Sequence, residues 1–144
     1  MNIREFRDGD LAAVVALWQD CELTRPWNPP ERDIAFCRHS GHGSVFLAEE
    51  NGDIAGSVMA GHDGHRGWIY YLAVAPARRR EGIGRWLMTH AEHWLAAQGV
   101  PKAMLLIRET NNAVAAFYQR LGYVIEPRLL MTKSLAERNH DRAG

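Results

Sequence analysis

Cysteine is scarce. Of 144 residues only Cys21 and Cys37 are cysteines, and their spacing makes neither a metal pair nor a disulfide scaffold, so reduced thiols are expected. An excess of one charge is missing too. Lys plus Arg and Asp plus Glu number 17 each, which removes the basic surface that nucleic acid or an anionic membrane would require. Long hydrophobic runs are absent: Leu11 to Trp18, as long as any, is far too short to span a bilayer, and Arg4 and Glu5 already charge the amino terminus. No internal repeat and no low-complexity linker interrupts the chain. These absences predict one untargeted, soluble, cytoplasmic domain over residues 1–135, followed by a polar tail over 136–144.

Two phosphate-binding motifs are lacking as well. No G-x-x-x-x-G-K-[ST] occurs, and Gly82-Ile83-Gly84 is followed by Arg85, Trp86 and Leu87 without the third glycine of a dinucleotide fingerprint. What is present is an apolar strand, Trp68 to Val74, running through Ala75-Pro-Ala-Arg-Arg-Arg-Glu-Gly-Ile-Gly-Arg85 into an amphipathic helix. At a helix start the first N–H groups lack intrahelical partners and the dipole is positive, which suits an anion. Gly82 and Gly84 let the backbone approach a bulky phosphate, and Arg78, Arg79, Arg80 and Arg85 surround it with positive charge.

A second segment, Asn111-Asn-Ala-Val-Ala-Ala-Phe-Tyr-Gln-Arg-Leu-Gly-Tyr123, reads as a short helix capped by Asn111 or Asn112 and ended by Gly122. Val114, Phe117 and Leu121 share its expected buried face, with Tyr118 at an angle to that stripe. Together, V-x-P-x-x-R-x-x-G-I-G and the distant N-x6-Y-x2-L-G-Y resemble the two signatures of the GNAT superfamily of acyl-CoA-dependent N-acetyltransferases. Arg25-Pro-Trp-Asn28 and Asp63-Gly-His-Arg-Gly67 resemble segments of its small bacterial YpeA-type members.

The remaining pattern agrees with that resemblance along essentially the whole chain. A strand over Ile3–Phe6 precedes a helix capped by Asp8 or Asp10, whose Leu11, Val14, Val15 and Trp18 repeat at helical spacing. After the proline-broken Glu22–Glu31 segment a second helix is predicted over Glu31–Ser40, then strands over Ser44–Glu49 and Asp53–Met59 joined by Asn51-Gly52, a hairpin signal. A helix over Gly82–Gln98 carries Ile83, Trp86, Leu87, His90, Ala91, Trp94 and Leu95 on one face. Strands over Ala103–Ile107, Tyr123–Ile125 and Leu129–Lys133 complete the set. The implied fold is α/β, a mixed and mostly antiparallel sheet of about six or seven strands flanked by about four helices.

The resemblance implies acetyl-CoA as co-substrate, transfer of its acetyl group to a primary amine by direct attack in a ternary complex, and no metal. The backbone of Leu72, Ala73 and Val74 would pair with the pantetheine arm. The Leu72 N–H would donate to the thioester carbonyl and stabilise the developing oxyanion, a contribution worth ~3 kcal/mol. Arg79, Arg80, Glu81, Gly82, Ile83, Gly84 and Arg85 would cradle the pyrophosphate, Asn111 would orient the bound molecule, and Tyr118 would protonate the leaving thiolate. Arg25, Trp27, Asn28, Asp63 and His65 would line the acceptor entrance. The Arg25–Asn28 loop reads equally as a hydrophobic clamp, and Asp63-Gly64 as a plain turn.

One departure stands out. Where the ribosomal-protein branch of the family carries a Glu upstream of the Asn, this chain has Leu106, and no carboxylate lies between Trp68 and Val74. Asp63, His65, Glu49 and Glu109 are candidates for the base, and none is assigned. The acceptor stays open between a small-molecule amine and a peptide or protein amine, and a homodimer is an allowed assembly. The missing base keeps a second function open, a non-catalytic acyl-CoA sensor or partner module. His39/His42, His62/His65 and His90/His93 form three H-x-x-H pairs, but no third ligand adjoins the helical pair to complete a zinc site.

Overall fold

The computed structural model describes residues 1–136, so the expected tail, Ala136 apart, lies outside the described residues. The chain forms two compact units, one of Met1–Arg108 and one beginning at Glu109. In the first, β1 (Asn2–Glu5), α1 (Leu11–Asp20), α2 (Pro30–His39), β2 (Gly43–Glu50), β3 (Asp53–His62), β4 (Gly67–Val74), α3 (Ile83–Ala97) and β5 (Ala103–Met104) follow one another. The sheet order is β1-β2-β3-β4-β5. β1 to β4 are antiparallel neighbours, and β5 runs parallel to β4.

Local sequence explains these elements. Asn51 and Gly52 both take left-handed backbone, φ 54° and 84°, which matches the right-handed twist of the β2–β3 hairpin. Pro30 opens α2 at a position where its missing N–H costs nothing. β2 and β3 are buried on both faces, so their apolar runs are nearly continuous rather than alternating. On one face Phe6, Val14, Leu17, Trp18, Ile34, Val45, Leu47, Met59 and Ala73 form a core under α1 and α2. On the other lies α3, with Ile83, Leu87, Met88, Ala91 and Leu95 buried. Gly56 permits its close seat, because a Cβ there would stand 2.9 Å from Leu87 Cδ1 and 2.8 Å from the Ala73 carbonyl oxygen.

Several expectations are corrected. Trp86 is exposed at the side of α3, whereas Met88, outside the expected stripe, is buried. Asp10 stands at the N-cap position of α1 as expected, but its side chain makes no bond to that helix. It accepts both Arg4 Nη1 and Nη2, at 2.8 and 2.9 Å, and the Arg7 N–H at 2.7 Å; the bidentate charge-assisted pair occupies the carboxylate. Among the described residues the sheet has five strands, not the expected six or seven. The expected strand over 103–107 pairs only at Ala103 and Met104, and among the described residues 123–125 and 129–133 make no ladder. Pro127 lacks an N–H and interrupts that stretch, and Val124, Ile125, Leu129 and Met131 stay exposed instead of covering a sheet.

In the second unit α4 (Asn112–Arg120) begins at Asn111, whose Oδ1 accepts the Val114 N–H at 3.3 Å. Of the two candidate caps it is Asn111 that serves. Gly122, at φ 97°, ends the helix, and Tyr123 N–H returns to the Tyr118 carbonyl at 3.0 Å.

Candidate functional site

The regular ladder between β3 and β4 breaks where chemistry was expected. Met59 pairs with Tyr70 and Ser57 with Ala73, so Tyr71 and Leu72 together face Val58, which makes a β-bulge. Tyr71 sits at φ 53°, a conformation bulky residues avoid, and three contacts hold it there. Its ring stacks on the fully buried Trp18, centroids 3.7 Å apart and planes within 4°. Trp18 Nε1 donates to Ser57 Oγ at 2.8 Å, and that hydroxyl donates to the Tyr71 carbonyl at 2.9 Å. In a trans peptide the C=O and N–H point in opposite directions, so the Leu72 N–H points away from Ser57. β5 pairs with β4 only at Gly67 and Trp68; among the described residues Leu72, Ala73 and Val74 have no ladder partner on that side. The Val74 carbonyl is already used, accepting Arg79 Nε at 3.3 Å and the Cys21 thiol at 3.4 Å.

The turn after β4 contains a short 3-10 segment, Pro76–Arg78, and then two left-handed residues, Arg80 at φ 69° and Gly82 at φ 83°. Gly82 is the N-cap of α3 and supplies no side-chain oxygen. The N–H groups of Ile83, Gly84 and Arg85 therefore lack both intrahelical and capping acceptors. Nothing lies within 4 Å of where a Gly82 Cβ would be. Arg80 and Arg85 are exposed, but Arg78 is committed elsewhere. Its Nε binds the Glu81 carboxylate at 3.0 and 3.1 Å, and its Nη2 reaches Glu50 at 2.8 Å. Glu81 thus offers its backbone alone. Backbone and arginines here suit a diphosphate, and the unpaired stretch of β4 suits an amide-bearing arm, so the residues of this unit fit coenzyme A.

In the second unit Tyr118 is the buried residue of α4, whereas Val114, Phe117 and Leu121, the expected buried face, are half-buried. Its ring meets Phe117 and Tyr123 edge to face at 5.1 and 5.7 Å. Burial pushes its phenol up to about 12, so it is a protonated donor at neutral pH. Asn111, capping α4 through Oδ1, is exposed.

The first unit also holds an open cavity of about 420 Å³ between α2 and the β3–β4 hairpin. Of the five residues expected at an acceptor entrance only Asp63 lines it; Arg25, Trp27, Asn28 and His65 do not. Arg25 Nη1 donates to the Glu22 and Thr24 carbonyls, and Trp27 is 78% exposed. Asn28 reaches the cavity's edge through Asp33, its Nδ2 lying 2.9 Å from Oδ2. The Asp63 carboxylate accepts the His65 and Arg66 N–H groups at 2.9 and 2.7 Å and Trp68 Nε1 at 3.3 Å. Those backbone bonds hold its pKa down at about 2, which makes it a poor proton acceptor at neutral pH. Glu49 is likewise lowered by its bond to Arg4.

Residues the sequence reading missed make up most of the cavity. Asp33, Phe36 and Cys37 come from one stripe of α2 and Ser40 from its C-cap, Met59 from β3, and Trp68, Tyr70 and Tyr71 from β4. Positions 33, 36, 37 and 40 follow helical spacing, but their mixed polarity hides them from a search for apolar faces. Tyr71 Oη donates to Asp33 Oδ2 at 2.6 Å, and burial followed by that bond raises the phenol far above its usual value. Burial also pushes the Cys37 thiol up to about 11, which removes it as a nucleophile.

A model of the acetyltransferase (GNAT) family matches residues 11–123. An acetyltransferase of Pectobacterium atrosepticum is 45% identical over 95% of this chain and 97% of its own. Among solved structures, the Escherichia coli ribosomal-protein-S18-alanine N-acetyltransferase superposes with TM-score 0.71 at 26% identity, over 84% of this chain and 76% of that one. AAC(6')-Iy, in complex with the bisubstrate analogue CoA-S-monomethyl-acetylneamine, superposes with TM-score 0.76 at 18% identity, over 94% and 98%.

Proposed function

The chain belongs to the acetyltransferase (GNAT) family, and from that premise we propose that it moves the acetyl group of acetyl-CoA to a primary amine by direct attack in a ternary complex. The observation that carries this reading is the β4 bulge beside the unpaired stretch of the strand. It directs one backbone N–H, that of Leu72, away from the ladder, as a donor to a thioester carbonyl must be directed. Acetyl-CoA supplies an acyl group activated as a thioester, and the protein's part is to bind, align and manage protons.

In this proposal Ala73 and the N–H of Val74 pair with the pantetheine arm. The N–H groups of Arg79 to Arg85 and the side chains of Arg80 and Arg85 hold the pyrophosphate, and Arg78 shapes the turn through Glu50 and Glu81. Asn111 orients the arm. Tyr118, protonated at neutral pH, gives its proton to the departing thiolate. No carboxylate is assigned as base; the amine reacts from its neutral fraction after losing a proton to water, and the proton its nitrogen sheds after attack passes through solvent and restores the Tyr118 phenol. Burial, which raises the Cys37 thiol, disfavours an acyl intermediate on that cysteine.

The test is release of free thiol from acetyl-CoA in the presence of a panel of amines and peptides. Activity should appear with at least one amine and scale with enzyme. Tyr118→Phe should lower kcat by about ten- to a thousandfold while the Kd for acetyl-CoA stays within threefold. Tight cofactor binding without thiol release to any acceptor would overturn the proposal.

A further inference from the structure

Resting on the acetyl-transfer reading, we propose that the cavity between α2 and the β3–β4 hairpin selects a compact hydrophobic primary monoamine, with the Asp33 carboxylate receiving its ammonium. The apolar lining comes from Phe36, Met59, Trp68, Tyr70 and the ring of Tyr71. Trp68 and Tyr70 lie side by side, centroids 6.4 Å apart and 18° from parallel, which makes a flat wall for an aromatic or branched aliphatic body. A volume of about 420 Å³ falls at the small end of ligand pockets.

Two carboxylates reach this space, and their bonding separates their roles. The oxygens of Asp63 are engaged by His65, Arg66 and Trp68, which makes it the lock of its own turn. Asp33 is fixed through Oδ2 alone, by Tyr71 Oη at 2.6 Å and Asn28 Nδ2 at 2.9 Å. Its Oδ1 has no partner among the described residues and is the acceptor left for a ligand N–H. Among the described residues neither Lys nor Arg lines the cavity, whose basic side chains are His42 and His62, so a carboxylate or phosphate on the acceptor would meet no permanent counter-charge. A polyhydroxylated or polyamine acceptor would bury polar groups against aromatic carbon, each unpaired one costing affinity.

Position links the cavity to the reaction. Tyr70 and Tyr71 line it, and Tyr71 is joined by one peptide bond to Leu72, whose N–H the bulge turns out of the ladder. Asp33 therefore acts in binding: it gathers the ammonium form, and the amine sheds its proton to water through the open mouth before attack.

The experiment compares 2-phenylethylamine and isopentylamine with spermidine, an aminoglycoside, free phenylalanine and a peptide with an amino-terminal phenylalanine, measuring kcat and KM with acetyl-CoA saturating. The two hydrophobic monoamines should have kcat/KM at least tenfold above every other acceptor. Asp33→Asn should raise their KM at least tenfold, with kcat and the Kd for acetyl-CoA each within threefold, and Asp33→Glu should restore part of the loss. Binding of 2-phenylethylamine, followed separately by tryptophan fluorescence, should weaken in parallel, and circular dichroism should show both variants folded. A preference for any of the polar acceptors or the peptide, or an unchanged KM in folded Asp33→Asn, overturns the assignment. Should no amine be acetylated while 2-phenylethylamine binds in an Asp33-dependent way, the transfer reading fails and the cavity's selectivity stands; absence of such binding overturns the selectivity itself.

Discussion

Ser57 links two elements with a single oxygen. Fully buried on β3, it accepts from Trp18 of α1 and donates to the carbonyl of the left-handed Tyr71. Ser57→Ala strands two buried polar groups and should cost about 1–3 kcal/mol of stability, read as a lower Tm. Because the same carbonyl fixes the direction of the Leu72 N–H, kcat should also fall about ten- to a hundredfold, while acetyl-CoA Kd moves less than threefold. A lower Tm with unchanged kcat would show that the bulge holds without this hydroxyl. Tyr118 gives a pH signature. Its folded pKa of about 12 lies above the ordinary value near 10, so the folded state keeps the proton longer. The stabilisation is complete below about pH 10 and is lost as pH rises towards 12. Tyr118→Phe should flatten that alkaline decline in a set of urea melts and remove one of the late-ionising phenols from an absorbance titration at 295 nm.

At the scale of elements, α3 starts on a residue that caps nothing. A negative side chain in its first turn would favour the helix by about 0.3–1 kcal/mol, yet would oppose a bound phosphate. Gly84→Asp therefore separates fold from ligand: Tm should hold or rise while the Kd for acetyl-CoA weakens at least tenfold, and unchanged affinity would displace the pyrophosphate from this turn. Much of this was legible in sequence. The Asn51-Gly52 hairpin and the spans of α1 and α2 are local signals, and the structure keeps each within a residue or two; of the expected α1 stripe Val14 and Trp18 are buried, whereas Leu11 is exposed and Leu17, outside it, is buried. Signals that require a distant partner were not legible. Leu105 to Ile107 are β-prone, but strand pairing depends on β4, which parts from them beyond Trp68. Asp33 looked like an ordinary acidic residue in the first turn of α2 until Tyr71, 38 positions away, met it.

Across the whole molecule charge is balanced, 17 against 17, so no global field steers an anionic ligand and any attraction is local. That locality is testable by ionic strength. In wild type, log Kd for acetyl-CoA should climb with log salt concentration. Arg80→Ala and Arg85→Ala should weaken binding and flatten the slope, whereas Arg78→Ala, which loses bonds to Glu50 and Glu81, should lower Tm with the slope retained. Equal slopes in all three variants would place the anion elsewhere. The same local design leaves an edge open. Among the described residues β4 has no strand beside it beyond Trp68 on the β5 side, and an open strand edge is a template on which other chains can pair. On the proposed reading the pantetheine arm fills that vacancy, so the nucleotide works as a chaperone for its own binding protein. Preparations stripped of it should clump on storage or at high expression, and adding it back should keep them clear.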